Sequence, residues 1–215
     1  MGGSTQRRSP GSDPDHLPLT GEPLPLELVN TTFVHGGLRG RLVDALAAPA
    51  ALTGWFGSRR ALFSPALRPL LDAAGAPDAA QVERCRELRR ALRDLCAARV
   101  AGGAPPAGAT AVVNTAARSA APWLELGTGP GFTAVPHWPQ GDPVLTALGE
   151  IALAGVELLT GERAGLLRAC PAPACVLYFV QGHPRRTWCT PGCGNRVRVA
   201  RHSRRTRGGD TSSAG

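Results

Sequence analysis

Four cysteines in the C-terminal part of the sequence have the spacing of a metal site. Cys170 and Cys175 have four residues between them, Cys189 and Cys193 have three, and thirteen residues separate the two pairs. In structural sites Zn²⁺ is held by four ligands in a tetrahedron, and thiolates are among the ligands that it prefers. The spacing therefore predicts one structural zinc ion held by these four side chains.

Disulfide bonds and free buried thiols are the two other interpretations of these cysteines. Disulfides are typical of small secreted domains, and the first residues of the sequence lack the apolar core of a signal peptide. Free buried thiols give no reason for the cysteines to occur in close pairs along the sequence. Both alternatives stay open, but the paired spacing favours zinc.

The other two cysteines have a different pattern. Cys85 and Cys96 lie eleven positions apart in one helical pattern, too far for a bond between them, and both fit small buried apolar side chains. Unbridged thiols suit a reducing compartment, so we expect a cytoplasmic protein. Charges, prolines or glycines interrupt each apolar run before it reaches the length of a membrane span, and we expect no membrane partner.

The residues around the cysteine pairs predict a hairpin and a helix. Strand formers occupy 176–180, and 185–188 would return as the second strand after a turn. Thr190 suits the N-cap of a helix and Pro191 its first position. Cys193 would then lie in the first helical turn, where amide dipoles favour a thiolate. A knuckle, a hairpin and a helix around one ion form a treble-clef-like zinc finger.

The net charge of +8 is concentrated around these cysteines. Nine arginines and no carboxylate lie between 168 and 209, while the rest of the chain holds fifteen arginines against sixteen acids. A concentrated basic region is typical of proteins that bind the phosphates of nucleic acids. A nonspecific basic tail is the alternative, but part of the charge falls on the predicted helix.

Basic residues of the predicted helix and hairpin are the candidates for contact with nucleic acid. Arg198, Arg201 and Arg205 recur at three- and four-residue steps, so they would share one helix face. Arginines bind phosphates, and some of them can read guanine edges in a major groove. Asn195 and Arg196 could instead hold the knuckle as neighbours of the zinc ligands. The candidate set is Arg185, Arg186, Arg196, Arg198, Arg201, His202, Arg204 and Arg205.

This stretch resembles the CGNR zinc finger, whose name-giving residues stand here as Cys193, Gly194, Asn195 and Arg196. In that family the finger usually follows an all-helical domain called ABATE, and such proteins are regarded as stress-induced transcription regulators. The resemblance therefore implies DNA binding through the finger, and we expect the protein to be associated with the nucleoid when it is bound to DNA. The resemblance also includes Arg185, Arg186, Trp188, Cys189, Ala200, Arg201 and His202.

The residues before the finger predict a helical domain. Apolar residues recur at three- and four-residue steps over 79–100, and Asp78 with Gln81 is a capping-box variant at the start of this helix. The opposite face mixes both signs of charge, which predicts a solvated surface with ion pairs. Residues 123–126 and 132–135 predict a small hairpin. A last helix would begin at Asp142-Pro143 and run to about 167.

The expected fold is mainly α, with a helical N-terminal domain that includes a small β-hairpin, followed by the treble-clef-like zinc finger. We expect a disordered leader at 1–23, an ABATE-like helical body at 24–168, the finger at 169–207 and a disordered tail at 208–215. The connection between body and finger is short, so we expect the finger to dock against the body.

Asn30 and Thr31 are polar residues that follow an apolar run and resemble the opening motif of the ABATE domain. The resemblance implies that the helical body senses a small-molecule effector, with these two residues in its pocket, or that it forms a homodimer. A helix cap explains both residues equally well. The ligand pocket is therefore an expectation based on the resemblance alone.

Three alternatives to DNA binding are RNA binding, binding of an acidic protein and catalysis. RNA binding also uses zinc knuckles and arginine-rich segments, but it needs exposed aromatic side chains, and those of the finger are expected in its small core. A zinc-stabilised module that binds an acidic protein is a further alternative. We expect no enzyme, because four cysteines leave zinc no open position for catalysis.

Overall fold

The computed structural model describes residues 17–119, 121–139 and 141–209, and it describes their side chains except for Pro136 and 201–209. Residues 1–16 of the predicted leader and 210–215 of the predicted tail lie outside the described residues. The described chain is mainly helical, as predicted. Its α-helices are α1 (Leu24–Val29), α2 (Pro49–Arg59), α3 (Arg68–Ala73), α4 (Ala79–Ala101), α5 (Ala107–Ser119), α6 (Pro143–Thr160) and α7 (Pro191–Gly209).

The strands of the described residues form small antiparallel hairpins. The paired strands are β1 (Thr32–His35) with β2 (Arg41–Asp44), β3 (Trp123–Leu126) with β4 (Ala134–His137), and β5 (Leu167–Ala169) with β6 (Tyr178–Val180). The predicted hairpin of the body is β3–β4. The last hairpin, β5–β6, carries the first cysteine pair.

Helix α6 lies at the centre of the helical body and packs against α1, α4 and α5. Ala147, Ile151 and Ala152 of α6 have no exposed surface. Leu92 of α4 comes so close that a Cβ atom on Gly155 would lie 2.6 Å from the leucine Cδ2. By length and composition α6 could cross a membrane, but half of it is buried inside the body. The prediction that no run reaches that length was therefore wrong for α6, whose place in the core explains its apolar sequence.

Helix α4 begins as the sequence predicts. The Asp78 carboxylate accepts a hydrogen bond from the Gln81 backbone N–H, and the Gln81 side chain accepts one from the Asp78 N–H, both at 2.7 Å. Cys85 and Cys96 are buried on its inner face, and burial raises the pKa of each thiol to about 12. Both thiols therefore stay protonated and act as small apolar side chains.

Two arginines of α4, the buried Arg89 and the half-buried Arg93, bond to groups inside the molecule, where a solvated face was predicted. Arg89 is 5% exposed and donates from both terminal nitrogens to the two carboxylate oxygens of Asp44, each at 2.6 Å. Arg93 donates to the backbone carbonyl of Val29 at 2.5 Å and to that of Val176 at 2.7 Å. Unpaired carbonyls at these depths attract a long donor side chain. The sequence pattern cannot distinguish such an arginine from a solvated one.

Helix α6 ends earlier than predicted. It stops at Thr160, and Gly161 continues in an extended conformation with its N–H donating to the Glu157 carbonyl at 2.7 Å. A short 3₁₀ helix follows at Glu162–Leu166. The chain is then free to form β5, which pairs with the finger.

Candidate metal centre

The first cysteine pair lies in the loop of the β5–β6 hairpin. The Cys170 N–H donates to the Leu177 carbonyl at 2.9 Å, and the Cys175 N–H donates to the Ala172 carbonyl at 3.0 Å. Ala174 takes a left-handed φ of 58° between them. These contacts fold the segment into a tight knuckle that turns both sulfurs toward the second cysteine pair.

Strand β6 pairs with a different segment from the one predicted. Residues 185–188 were expected to return beside it, but Arg186 donates its N–H to the His183 carbonyl at 2.9 Å and forms a turn instead. The partner is 167–169, which the early end of α6 makes available. The finger thus contains a hairpin, but the predicted pairing was wrong: the strands are 167–169 and 178–180, and their loop holds the first cysteine pair.

The second cysteine pair lies where helix α7 begins, as predicted. Pro191 is the first residue of α7. The hydroxyl of Thr190 accepts a hydrogen bond from the backbone N–H of Cys193 at 3.3 Å, as an N-cap side chain does. Cys193 therefore lies in the first helical turn, where unpaired amide groups favour a negative sulfur.

The four sulfurs come together at the distances that tetrahedral zinc requires. All four lie within 4.8 Å of one another. The Sγ atoms of Cys175 and Cys189 are 3.7 Å apart, those of Cys189 and Cys193 are 3.4 Å apart, and those of Cys193 and Cys175 are 3.8 Å apart. A Zn–S bond of about 2.3 Å in a regular tetrahedron places its sulfurs about 3.8 Å apart. The geometry fits one zinc ion and four thiolates.

The protonation of the cluster supports the same conclusion. Hydrogen bonds from Cys175 and Cys189 lower the pKa of Cys170, and the contact with Cys170 raises the pKa of Cys175. The pKa of Cys189 is also raised by its contacts with Cys170 and Cys175. Sulfurs this close oppose a second negative charge, and a divalent cation removes that conflict because it deprotonates the thiols that bind it.

Apolar side chains from both parts of the chain enclose the zinc site. Phe179 and Val197 of the finger belong to one buried cluster with the cysteines, and Leu19 and Phe33, which precede the finger by more than a hundred residues, belong to it as well. Trp188 packs against this cluster, whereas Tyr178 packs against the core of the body. The finger is therefore docked, as expected, and shares its core with the N-terminal part of the chain.

Arg196 lies beside the metal ligands. Its guanidinium donates to the sulfur of Cys193 at 3.3 Å and to the backbone carbonyl of Pro173 at 3.1 Å. It thus joins the start of α7 to the knuckle. Asn195 is exposed and accepts a hydrogen bond from Arg198.

The other residues predicted to contact nucleic acid differ in how strongly their side chains are bonded within the protein. Arg186 donates to the Val180 carbonyl at 3.1 Å, to the Cys189 carbonyl at 3.1 Å and to the Glu22 carboxylate at 2.6 Å. Arg185 is exposed, as is Arg198. The side chains of four further candidates lie outside the described residues, although their backbone continues α7: Arg201, His202, Arg204 and Arg205.

Asn30 and Thr31, the predicted pocket residues, are buried and hydrogen-bonded. The Thr31 hydroxyl donates to the Leu28 carbonyl at 2.7 Å. The Asn30 side chain accepts from the Tyr178 N–H at 3.0 Å and donates to the Tyr178 carbonyl at 2.8 Å. Asn30 thereby contacts the finger, which the sequence did not indicate. A ligand-binding role for the pair stays a prediction.

Gly194 should tolerate no side chain, because the indole of Trp188 occupies the space beside it. A Cβ atom on Gly194 would lie 2.9 Å from the Trp188 Cδ1. We expect Gly194→Ala to lower the free energy of unfolding of the zinc-loaded protein by about 1–3 kcal/mol, the usual cost of overpacking. Thermal unfolding of the full chain measures it.

Gly192→Ala is the matched control within the same helix. Its nearest contact would be the Thr190 hydroxyl at 3.6 Å, an ordinary distance. Alanine favours helix over glycine by up to about 1 kcal/mol, so this variant should be neutral or slightly stabilised. Equal stability of the two variants would contradict the packing of Trp188 on Gly194.

Two protein families match the chain. Residues 22–162 match the ABATE family, whose description is "Putative stress-induced transcription regulator". Residues 167–206 match the CGNR zinc finger. A comparison with curated proteins found no match. The ABATE match covers more than half of the sequence, and the CGNR match contains all four clustered cysteines.

Proposed function

The chain belongs to the ABATE family of transcription regulators and carries a CGNR zinc finger with a four-cysteine zinc site, and from that premise we propose that it binds DNA through the finger. The observation that carries this proposal is the position of helix α7. Its first turn holds a zinc ligand, and the arginines follow along the same helix. The metal thus fixes the direction in which the basic helix leaves the molecule.

The proposed DNA-binding surface is one face of α7 with the neighbouring turn. Arg198 is exposed, and Arg201 and Arg205 follow at steps that place them on the same side of a helix. A region with nine arginines and no carboxylate suits a polyanion. The contact set that we propose is Arg185, Arg198, Arg201, His202, Arg204 and Arg205.

Arg186 and Arg196 are left out of this set. The guanidinium of each donates hydrogen bonds to carbonyls, a carboxylate or a sulfur of the protein itself. Breaking these bonds to reach a phosphate would take a partner from the buried Glu22 carboxylate and from the buried Cys193 sulfur, which is costly. We propose that both arginines hold the finger together.

DNA is preferred over RNA because of the finger's aromatic residues. Phe179 is buried, and Tyr178 and Trp188 are partly buried against the core. Single-stranded RNA is commonly read by exposed aromatics on which bases stack. A basic helix on a rigid support is better suited to the major groove of duplex DNA.

We propose that the helical body, 24–168, regulates the finger, 169–207. The body would do so by binding an effector or by forming a homodimer. The two parts share the apolar cluster around the zinc site, so a change in the body has a direct route to the finger. Asn30 and Thr31 would act in this route through the contacts that they make. The family description implies a regulator without catalytic activity, and we propose that it acts in the cytoplasm.

A competition experiment tests the class of partner. The zinc-loaded full chain is bound to a fluorescent DNA duplex, and unlabelled duplex DNA, duplex RNA, single-stranded RNA and polyglutamate are added in turn. The proposal expects duplex DNA to displace the probe at the lowest concentration. Displacement at lower concentrations of either RNA would assign the finger to RNA, and preferential displacement by polyglutamate would indicate an acidic protein partner.

A further inference from the structure

Glu22 is a buried carboxylate at the joint between the N-terminal part of the chain and the finger. It is 5% exposed, although it lies in the stretch predicted as a leader. One oxygen accepts a hydrogen bond from the Val180 N–H of strand β6 at 2.9 Å, and the other accepts from the Arg186 guanidinium at 2.6 Å. A carboxylate this deep is stable only when it is paired. Glu22 is therefore built to hold the finger.

Arg186 carries this contact to the zinc site. Besides Glu22, it donates to the backbone carbonyl of the zinc ligand Cys189 at 3.1 Å. Its guanidinium also lies over the ring of Phe179, 4.7 Å from the ring centre. Arg186 thus fixes the backbone of one zinc ligand on one side and is fixed by Glu22 on the other.

Glu22 is itself positioned from within the body. Its backbone N–H donates to the Glu27 carboxylate at 2.8 Å. Glu27, which is 1% exposed, pairs through its other oxygen with Arg59 of helix α2 at 2.5 Å. A continuous series of charge-assisted contacts therefore runs from α2 to the backbone of Cys189.

Asn30 makes a second contact across the same joint. Its side-chain amide pairs with both the N–H and the carbonyl of Tyr178, in the way that a neighbouring strand would. The Tyr178 backbone groups on the free edge of strand β6 thereby find their hydrogen-bond partner in a side chain of the body. Leu19 and Phe33 complete the joint by packing into the cluster that encloses the cysteines.

We propose that the N-terminal segment from Glu22 to Asn30 completes the zinc finger, and that Glu22 is a positioning residue of the zinc site which acts through Arg186. Zinc binding and the order of this segment are then thermodynamically linked: each favours the other. The inference rests on the zinc site and the joint, and it holds whether the finger binds DNA or another partner.

Glu22→Gln in the full chain is the direct test. Glutamine keeps the size of the side chain but removes the charge that pairs with Arg186. Loss of an outer partner of a metal ligand typically weakens metal binding 10–100-fold. Glu22 lies one residue further out, because Arg186 is the group that contacts Cys189. The zinc dissociation constant, measured by competition with a chromophoric chelator, should therefore rise by about 10-fold, the lower end of that range. Glu87→Gln, at an exposed carboxylate of α4, is the control and should leave it unchanged.

A double-mutant cycle separates positioning from general destabilisation. Because Glu22 acts through Arg186, the double variant Glu22→Gln/Arg186→Gln should weaken zinc binding much less than the product of the two single effects. The absorption spectrum of the Co²⁺-loaded variants should still show four thiolates in a tetrahedron. Unchanged zinc affinity in folded Glu22→Gln, or fully multiplicative effects in the cycle, would overturn the proposal.

Hydrogen exchange of the unmutated protein gives a test that needs no variant to fold. The amides of Glu22 and Val180 both donate within the joint, so their protection should fall when zinc is removed with a chelator, whereas protection in the centre of α6 should persist. Equal protection of Glu22 with and without zinc would refute the linkage, and this result decides the matter if Glu22→Gln does not fold.

Discussion

Cys189→Ser should abolish stoichiometric zinc binding and unfold the finger. Structural zinc supplies about 10–16 kcal/mol to small zinc modules, and the finger has little core apart from the cluster around its cysteines. Serine offers a hydroxyl in place of a thiolate and cannot complete the tetrahedron. Zinc content, measured on the purified protein, should fall from one equivalent to well below it.

The helices of the body should survive this substitution. Helices α4, α5 and α6 pack in a separate cluster that contains none of the four cysteines, so circular dichroism should show most of the helical signal. Cys85→Ala is the matched control, because Cys85 is equally buried but lies outside the metal site. Full zinc occupancy in Cys189→Ser would contradict the four-cysteine assignment, as would loss of zinc from Cys85→Ala.

Replacing Arg198, Arg201 and Arg205 by alanine should weaken DNA binding strongly without loss of zinc. Each arginine that neutralises a phosphate adds about one unit to the slope of log affinity against log salt. The triple variant should therefore have a slope shallower by about three. The slope comes from fluorescence anisotropy with duplex DNA over a range of salt, and zinc content is measured on the same samples.

The control for this variant removes the same charge from the body. Arg84, Arg118 and Arg163 are exposed there, and their replacement by alanine lowers the net charge equally. This control should keep nearly the full affinity and slope of the unmutated protein. Equal losses in the two triple variants would show that only overall charge matters, and an unchanged affinity in the α7 variant would exclude that helix face.

Local sequence signals predicted the parts of the molecule that depend on local geometry. The spacing of the cysteines predicts the zinc site because each pair needs only a short turn to aim two sulfurs at one ion. Asp78 and Gln81 predict the start of α4 because a capping box is formed by residues three apart. Thr190 and Pro191 predict the start of α7 because an N-cap residue and a proline at the first position both act on the helix end beside them.

The sequence could not predict contacts between distant residues. Strand β6 pairs with 167–169 instead of the segment after it, a choice that depends on where α6 ends. Gly36 and Gly37 take φ angles of 92° and 72°, and the chain returns after them as strand β2 beside β1. Tertiary pairing determines both outcomes.

Buried charges were the feature of the structure that the sequence indicated least. Glu22 lies in a stretch rich in proline and glycine, and its sequence neighbours give no sign that it meets Arg186. Arg93 resembles its exposed neighbours on α4, yet it donates to carbonyls of the body and the finger. The short connection between body and finger predicted that the two dock, but it did not indicate which residues meet at the joint.

The salt dependence of DNA binding tests the central claim most directly. The zinc-loaded full chain and the Cys189→Ser protein are titrated against a generic DNA duplex between about 50 and 200 mM salt, a range over which six to ten phosphate contacts cost about 10³–10⁵ in affinity. We expect the zinc-loaded chain to bind at low salt with a steep negative slope, and Cys189→Ser to lose most of both. Absence of binding at low salt, or equal affinity and slope in the two proteins, would contradict a zinc-organised DNA-binding finger.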